Sequence, residues 1–100
     1  MATTAVLSLS SLHSKHETRQ ILDEALTMQR EFAHARFVKF LQECQQFEKT
    51  YQMDSEQFLQ QFESGELGDD AQWFDWYAVI RGKKIWEQKY TILSDLSWNE

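Results

Sequence analysis

Proline is absent from this chain, glycine occurs three times and cysteine once. Without proline nothing fixes a kink or forces a helix to stop, so helices end only where capping residues and glycine allow it. The single cysteine, Cys44, leaves no partner for an intramolecular disulfide. No run reaches the ~18 consecutive apolar residues that a membrane span requires. The start of the sequence has neither a basic n-region nor a long apolar h-region. Together these absences suggest a cytoplasmic protein. Basic residues are also scarce, ten Lys and Arg against sixteen Asp and Glu. The four-residue cluster Arg81-Gly82-Lys83-Lys84 is too short to argue for nucleic acid, and operator DNA binding is unsupported.

Gln, Glu, Leu and Phe are common instead, a balance that with so little glycine and no proline favours helices, and a chain of 100 residues makes one small domain. The clearest signals lie between Phe47 and Phe74. Asp54 is placed to cap a helix, Gln57 to close a capping box, and Met53 with Phe58 to form a hydrophobic staple. Gly65 provides a left-handed stop, and Asp69 or Asp70 a cap for the next helix.

Upstream, His16 to Tyr51 reads as one long helix, with Ser14 and Glu17 as its capping pair. An apolar stripe follows Leu22, Leu26, Ala33, Phe37, Phe40, Cys44, Phe47 and Tyr51. A second one, rotated by about a third of a turn, joins Ile21, Ala25, Met28, Phe32 and Ala35. It stops at mid-helix, where the equivalent positions become Lys39, Gln42 and Gln46. Either it widens the internal core or it awaits another molecule. Downstream, a third helix from Ala71 to Leu93 or Leu96 carries Trp73, Trp76, Tyr77, Ile80, Trp86, Tyr90 and Leu93. Gly82 in its interior permits close helix approach or marks a kink.

The expected fold is all-α, a long antiparallel helical hairpin with a short connecting helix. Residues 16–100 form the single helical domain. Residues 1–15 are an N-terminal tail or short strand. The weak alternation of Ala5, Leu7 and Leu9 fits either a disordered tail or a strand with no partner elsewhere in the chain, which would need a second copy or another protein's sheet edge. Fourteen aromatic residues are many for a hairpin to enclose, which points to an oligomer or a hetero-complex.

No constellation for catalysis stands out, and an enzyme is not expected. His13 and His16 lack third and fourth metal ligands at a diagnostic spacing, Cys44 sits on the apolar stripe, and no phosphate or dinucleotide loop is present. No metal or cofactor is expected. All of the net charge of −6 lies in residues 51–100, with Glu63, Glu66, Asp69, Asp70 and Asp75 around the central turn. That cluster suits a basic partner or is merely a solvated turn.

The run Phe47-Glu48-Lys49-x-Tyr51-x-Met53-x-Ser55-Glu56-x-Phe58, then Phe62-x-x-Gly65-Glu66-Leu67 and an acidic pair before Trp76, resembles a family of small prokaryotic antitoxin-like proteins. These are the cyanobacterial and archaeal partners of small RNase-like toxins in two-gene toxin–antitoxin systems. The likeness spans residues 36–96, with Arg36 and Phe40 at its upstream edge. Two positions differ from the pattern. Gln52 stands where a glycine follows the tyrosine, which disfavours a left-handed turn there, and Asp75 replaces a glutamate before Trp76. The resemblance implies a non-catalytic protein that neutralises a basic toxin by helix-mediated contact. Partner-binding candidates are Ile21, Ala25, Met28, Phe32 and Ala35 on the helix, and Glu63, Glu66, Asp69 and Asp70 at the turn. The alternative is a homo-oligomeric helical scaffold.

Overall fold

The computed structural model describes residues 6–8 and 12–98. The architecture is all-α: helix α1 spans Lys15–Tyr51, α2 spans Ser55–Glu63 and α3 spans Ala71–Ser94, with a minor two-residue strand before and after them, β1 (Val6–Leu7) and β2 (Ser97–Trp98). At 1.5 Å per residue, α1 is about 55 Å long. It packs antiparallel against α3, and the molecule measures 59 × 25 × 19 Å. The radius of gyration, 19.1 Å, far exceeds the ~13 Å of a compact chain this long.

Local chemistry sets the helix ends. Ser14 Oγ accepts from the Glu17 amide at 3.0 Å to start α1, and Asp54 Oδ1 accepts from the Gln57 amide at 2.7 Å to start α2. The Ser55 amide donates to Glu48 Oε2 at 2.8 Å, so a carboxylate from the end of α1 serves an otherwise orphaned donor of α2. Asp70 occupies the expected cap position of α3, with an extended backbone and without a side-chain cap bond. Gly65 takes the left-handed conformation at φ 80°. So does Gln52, at φ 53° and ψ 43°, closing α1. The left-handed turn thus forms without glycine, because Met53 beyond it packs into the core and Glu48 holds the next turn.

That core lies where α2 covers the hairpin. Cys44, Phe58, Trp76 and Ile80 are buried together, surrounded by Phe47, Tyr51, Met53, Phe62, Trp73 and Tyr77. Phe58 contributes a ring stacked on Trp76, and Phe47 stacks on the same indole with centroids 5.5 Å apart. Trp76 Nε1 donates to Ser55 Oγ at 3.3 Å, satisfying the one polar atom of this ring. From Leu26 onward the first stripe of α1 is therefore the core face, while Leu22 at its start is exposed. Gly82 lies inside an uninterrupted α3, and a Cβ there would fall 2.7 Å from the Phe40 ring. Close approach of the two helices explains that glycine.

The N-terminal strand needs no second molecule. Val6 pairs with Ser97 and Leu7 with Trp98, in parallel register. Trp98 Nε1 donates to Asp23 Oδ1, and the Arg19 guanidinium lies 5.4 Å from the Trp98 ring. The expectation of an unpartnered strand is corrected: the chain's own residues 97–98, tied to α1 through Trp98, supply the edge. The rest of the tail reading, at residues 1–5 and 9–11, lies outside the described residues.

Candidate functional site

The first half of α1 leaves its second stripe outside. Ile21 is 66% exposed, Met28 70% and Phe32 52%, and Ala25 and Ala35 are exposed beside them. The core of the hairpin does not cover these side chains. The reason is geometric: α3 lies against the face that carries Leu26, Ala33 and Phe37, and the second stripe is turned about 120° away at 100° per residue. An apolar strip at helical spacing, exposed and rimmed by polar residues, is the candidate contact surface of this molecule.

One edge of the strip is built. Phe32 meets Trp86 of α3 edge-on, with ring centroids 5.4 Å apart and planes 79° apart. Two cations crowd the same indole, Lys89 Nζ at 4.4 Å from its centroid and the Arg36 guanidinium at 5.6 Å. Arg36 also lies 5.4 Å from the Phe40 centroid, and its Nε is enclosed without a hydrogen-bond partner. The guanidinium thus sits in cation–π range of both rings at the seam between α1 and α3. At the outer end, a hollow of about 340 Å³ lies among His13, Glu17, Thr18, Ile21 and Leu22.

Glu63, Glu66, Asp69 and Asp70 are all exposed at the α2–α3 connection. They do not join the strip. From Ala35, where the strip ends, α1 continues for about 24 Å before α2 begins. The two sets of candidates are separate surfaces.

Two parts of the site escaped the sequence reading. Trp86, read from the sequence only as a large apolar position of α3, is half-buried and forms the wall beside Phe32. Glu17, Glu24 and Glu31 recur every seven residues along the flank of the strip, and all three are exposed. Extending the wheel arithmetic from apolar to acidic residues finds that row.

Elsewhere the chemistry is sparse. A cleft of about 200 Å³ between α2 and α3 is lined by Leu59, Glu63, Tyr77, Ile80, Arg81, Lys84 and Ile85, below the size of an ordinary ligand pocket. Burial pushes the Cys44 thiol above its ordinary range, and the Lys83 ammonium offsets part of that rise. His34 is exposed and lies 4.9 Å from the Tyr90 ring. Among the described residues no three His, Cys, Asp or Glu side chains gather as a metal site, and no helix is long and apolar enough to cross a membrane. Comparison with protein-family models, with curated proteins and with solved structures finds no match to this chain.

Proposed function

We propose that this protein is a non-catalytic cytoplasmic binding protein, an antitoxin that neutralises a small basic RNase-like toxin by helix-mediated contact. The observation that carries the reading is the uncovered strip Ile21-Met28-Phe32, which extends along one face of a helix that has already supplied its core face to α3. Apolar side chains this exposed cost solubility in the free protein and gain when a partner takes them from water, at roughly 25 cal/mol per Å² buried. The acidic balance, −6 overall, suits a basic partner and repels nucleic acid. The resemblance of residues 36–96 to antitoxin-like proteins names the kind of partner.

The test is co-expression with the product of the adjacent gene. A soluble one-to-one complex in which an RNase activity is silenced supports the reading. A neighbour that is not a small basic protein, or one that stays active and unbound, removes it. The second reading is a homo-oligomeric scaffold that buries the same strip against its own copy. A concentration-dependent dimer that Phe32→Asp converts to monomer would favour it.

A further inference from the structure

The strip has a heptad register. Taking Ile21, Met28 and Ala35 as d positions places Thr18, Ala25 and Phe32 at a, and Lys39 at the a position where the apolar run ends. In that register the g positions are Glu17, Glu24 and Glu31, three carboxylates on one flank at intervals of seven. The e positions are Leu22, Gln29 and Arg36, and the last of these is occupied within the molecule between the Phe40 and Trp86 rings. The strip thus has the register of a coiled-coil seam over about 26 Å, from Thr18 to Ala35, with acid on one side and α3 on the other.

We propose that this seam receives a single amphipathic helix of a partner protein, about five turns long, with Lys or Arg repeating every seven residues beside its apolar stripe. The proposal deepens the binding-protein reading and rests on it. Charge selects the occupant. In an antiparallel pair, g positions face g positions, so a second copy of this chain would set Glu17, Glu24 and Glu31 against the same glutamates. In a parallel pair g faces e, and a second copy would offer Leu22 and Gln29 to two of the three, with Arg36 already drawn to the Phe40 and Trp86 rings. A basic row answers all three carboxylates in either direction. Like charges at these positions decide which partner is refused as much as which is accepted.

The test uses the full chain and two synthetic peptides of about three heptads, each with Leu at a and d. One carries Lys at e and g, the other Glu. Their own charges keep each from pairing with itself. In fluorescence anisotropy at low salt, the Lys peptide should bind about tenfold or more tightly than the Glu peptide, and added salt should shrink the difference. The triple variant E17K/E24K/E31K should reverse the preference, and Phe32→Asp or Met28→Asp should abolish binding of both, with helicity unchanged by circular dichroism. Equal affinity for the two peptides, no binding of either, or binding that survives both Asp variants overturns the proposal. So does a homodimer that E17K/E24K/E31K leaves intact and Met28→Asp dissolves. The antitoxin reading fails separately. A neighbouring gene product that does not bind leaves the peptide preference standing, whereas a neutralising complex that tolerates both E17K/E24K/E31K and Met28→Asp removes this seam and keeps the antitoxin.

Discussion

The Phe58 ring lies flat on the Trp76 indole, with centroids 4.1 Å apart and planes 9° from parallel, and both residues are fully buried. This contact fastens the short connecting helix to α3 in a molecule with little other core. Phe58→Ala should therefore destabilise by about 3–5 kcal/mol, the usual cost of emptying an aromatic site. Urea unfolding followed by tryptophan fluorescence measures it. A loss below about 1 kcal/mol would mean that α2 contributes little to the fold.

Replacing Gly82 separates helix propensity from packing. Propensity alone gives Ala an advantage of about 1 kcal/mol in a helix interior. The added Cβ would meet the Phe40 ring at 2.7 Å, and overpacking of this kind costs about 1–3 kcal/mol. Gly82→Ala should lower stability by about 1 kcal/mol net, and Phe40→Leu should shrink that penalty in a double-mutant cycle. A stabilised Gly82→Ala protein would show that α1 and α3 stand further apart.

Gln52 has the opposite sign. Its left-handed backbone is strained for any residue with a Cβ, by roughly 1–2 kcal/mol, while glycine adds back unfolded-state entropy. Gln52→Gly should raise stability by about 0.5–1 kcal/mol. A thermal melt of the two proteins decides it.

Cys44 makes the protein sensitive to alkali. Its folded thiol titrates above its unfolded value because burial disfavours the thiolate. The folded state thus holds the proton more tightly. That stability is fully present below the unfolded thiol value of about 8.5 and is lost as pH rises toward the folded value. Unfolding free energy should fall as pH rises above about 8.5, and Cys44→Ala should flatten that part of the profile. In the same range iodoacetamide should label the unfolded chain far faster than the folded one.

The strip should be dispensable for folding. Ile21→Asp and Met28→Asp change side chains that are mostly in water, so each should shift stability by no more than about 0.5 kcal/mol. Denaturant midpoints within error of the parent, together with lost partner binding, are the expected pair of results. A large drop in stability would assign these residues to the core.

What could be read in advance was periodic or local. The core stripe from Leu26 to Tyr51, the cap at Asp54 and the stop at Gly65 depend on spacing or on neighbours within four residues, and each is where it was expected. The turn at Gln52 was not legible, because the Glu48 bond to Ser55 and the packing of Met53 hold a conformation that the residue itself disfavours. Nor was the pairing of Val6–Leu7 with Ser97–Trp98, two dipeptides at opposite ends of the sequence with no alternation in the second. For the candidate site, wheel arithmetic found the strip. Only the packed helices show that Trp86 walls it and that the acidic turn stands apart.

The buried side chains are unevenly distributed along the hairpin. Apart from Ala33, those identified lie under α2, and toward the strand pair the two long helices share mostly half-covered contacts. Amide hydrogen exchange should accordingly be graded, slow around Trp76 and Phe58 and fast in the first turns of α1, where fraying precedes any global opening. A ligand seated on the strip would slow exchange in the arm that is quickest to open and leave the far end as it was. Protease resistance of that arm then becomes a direct readout of occupancy.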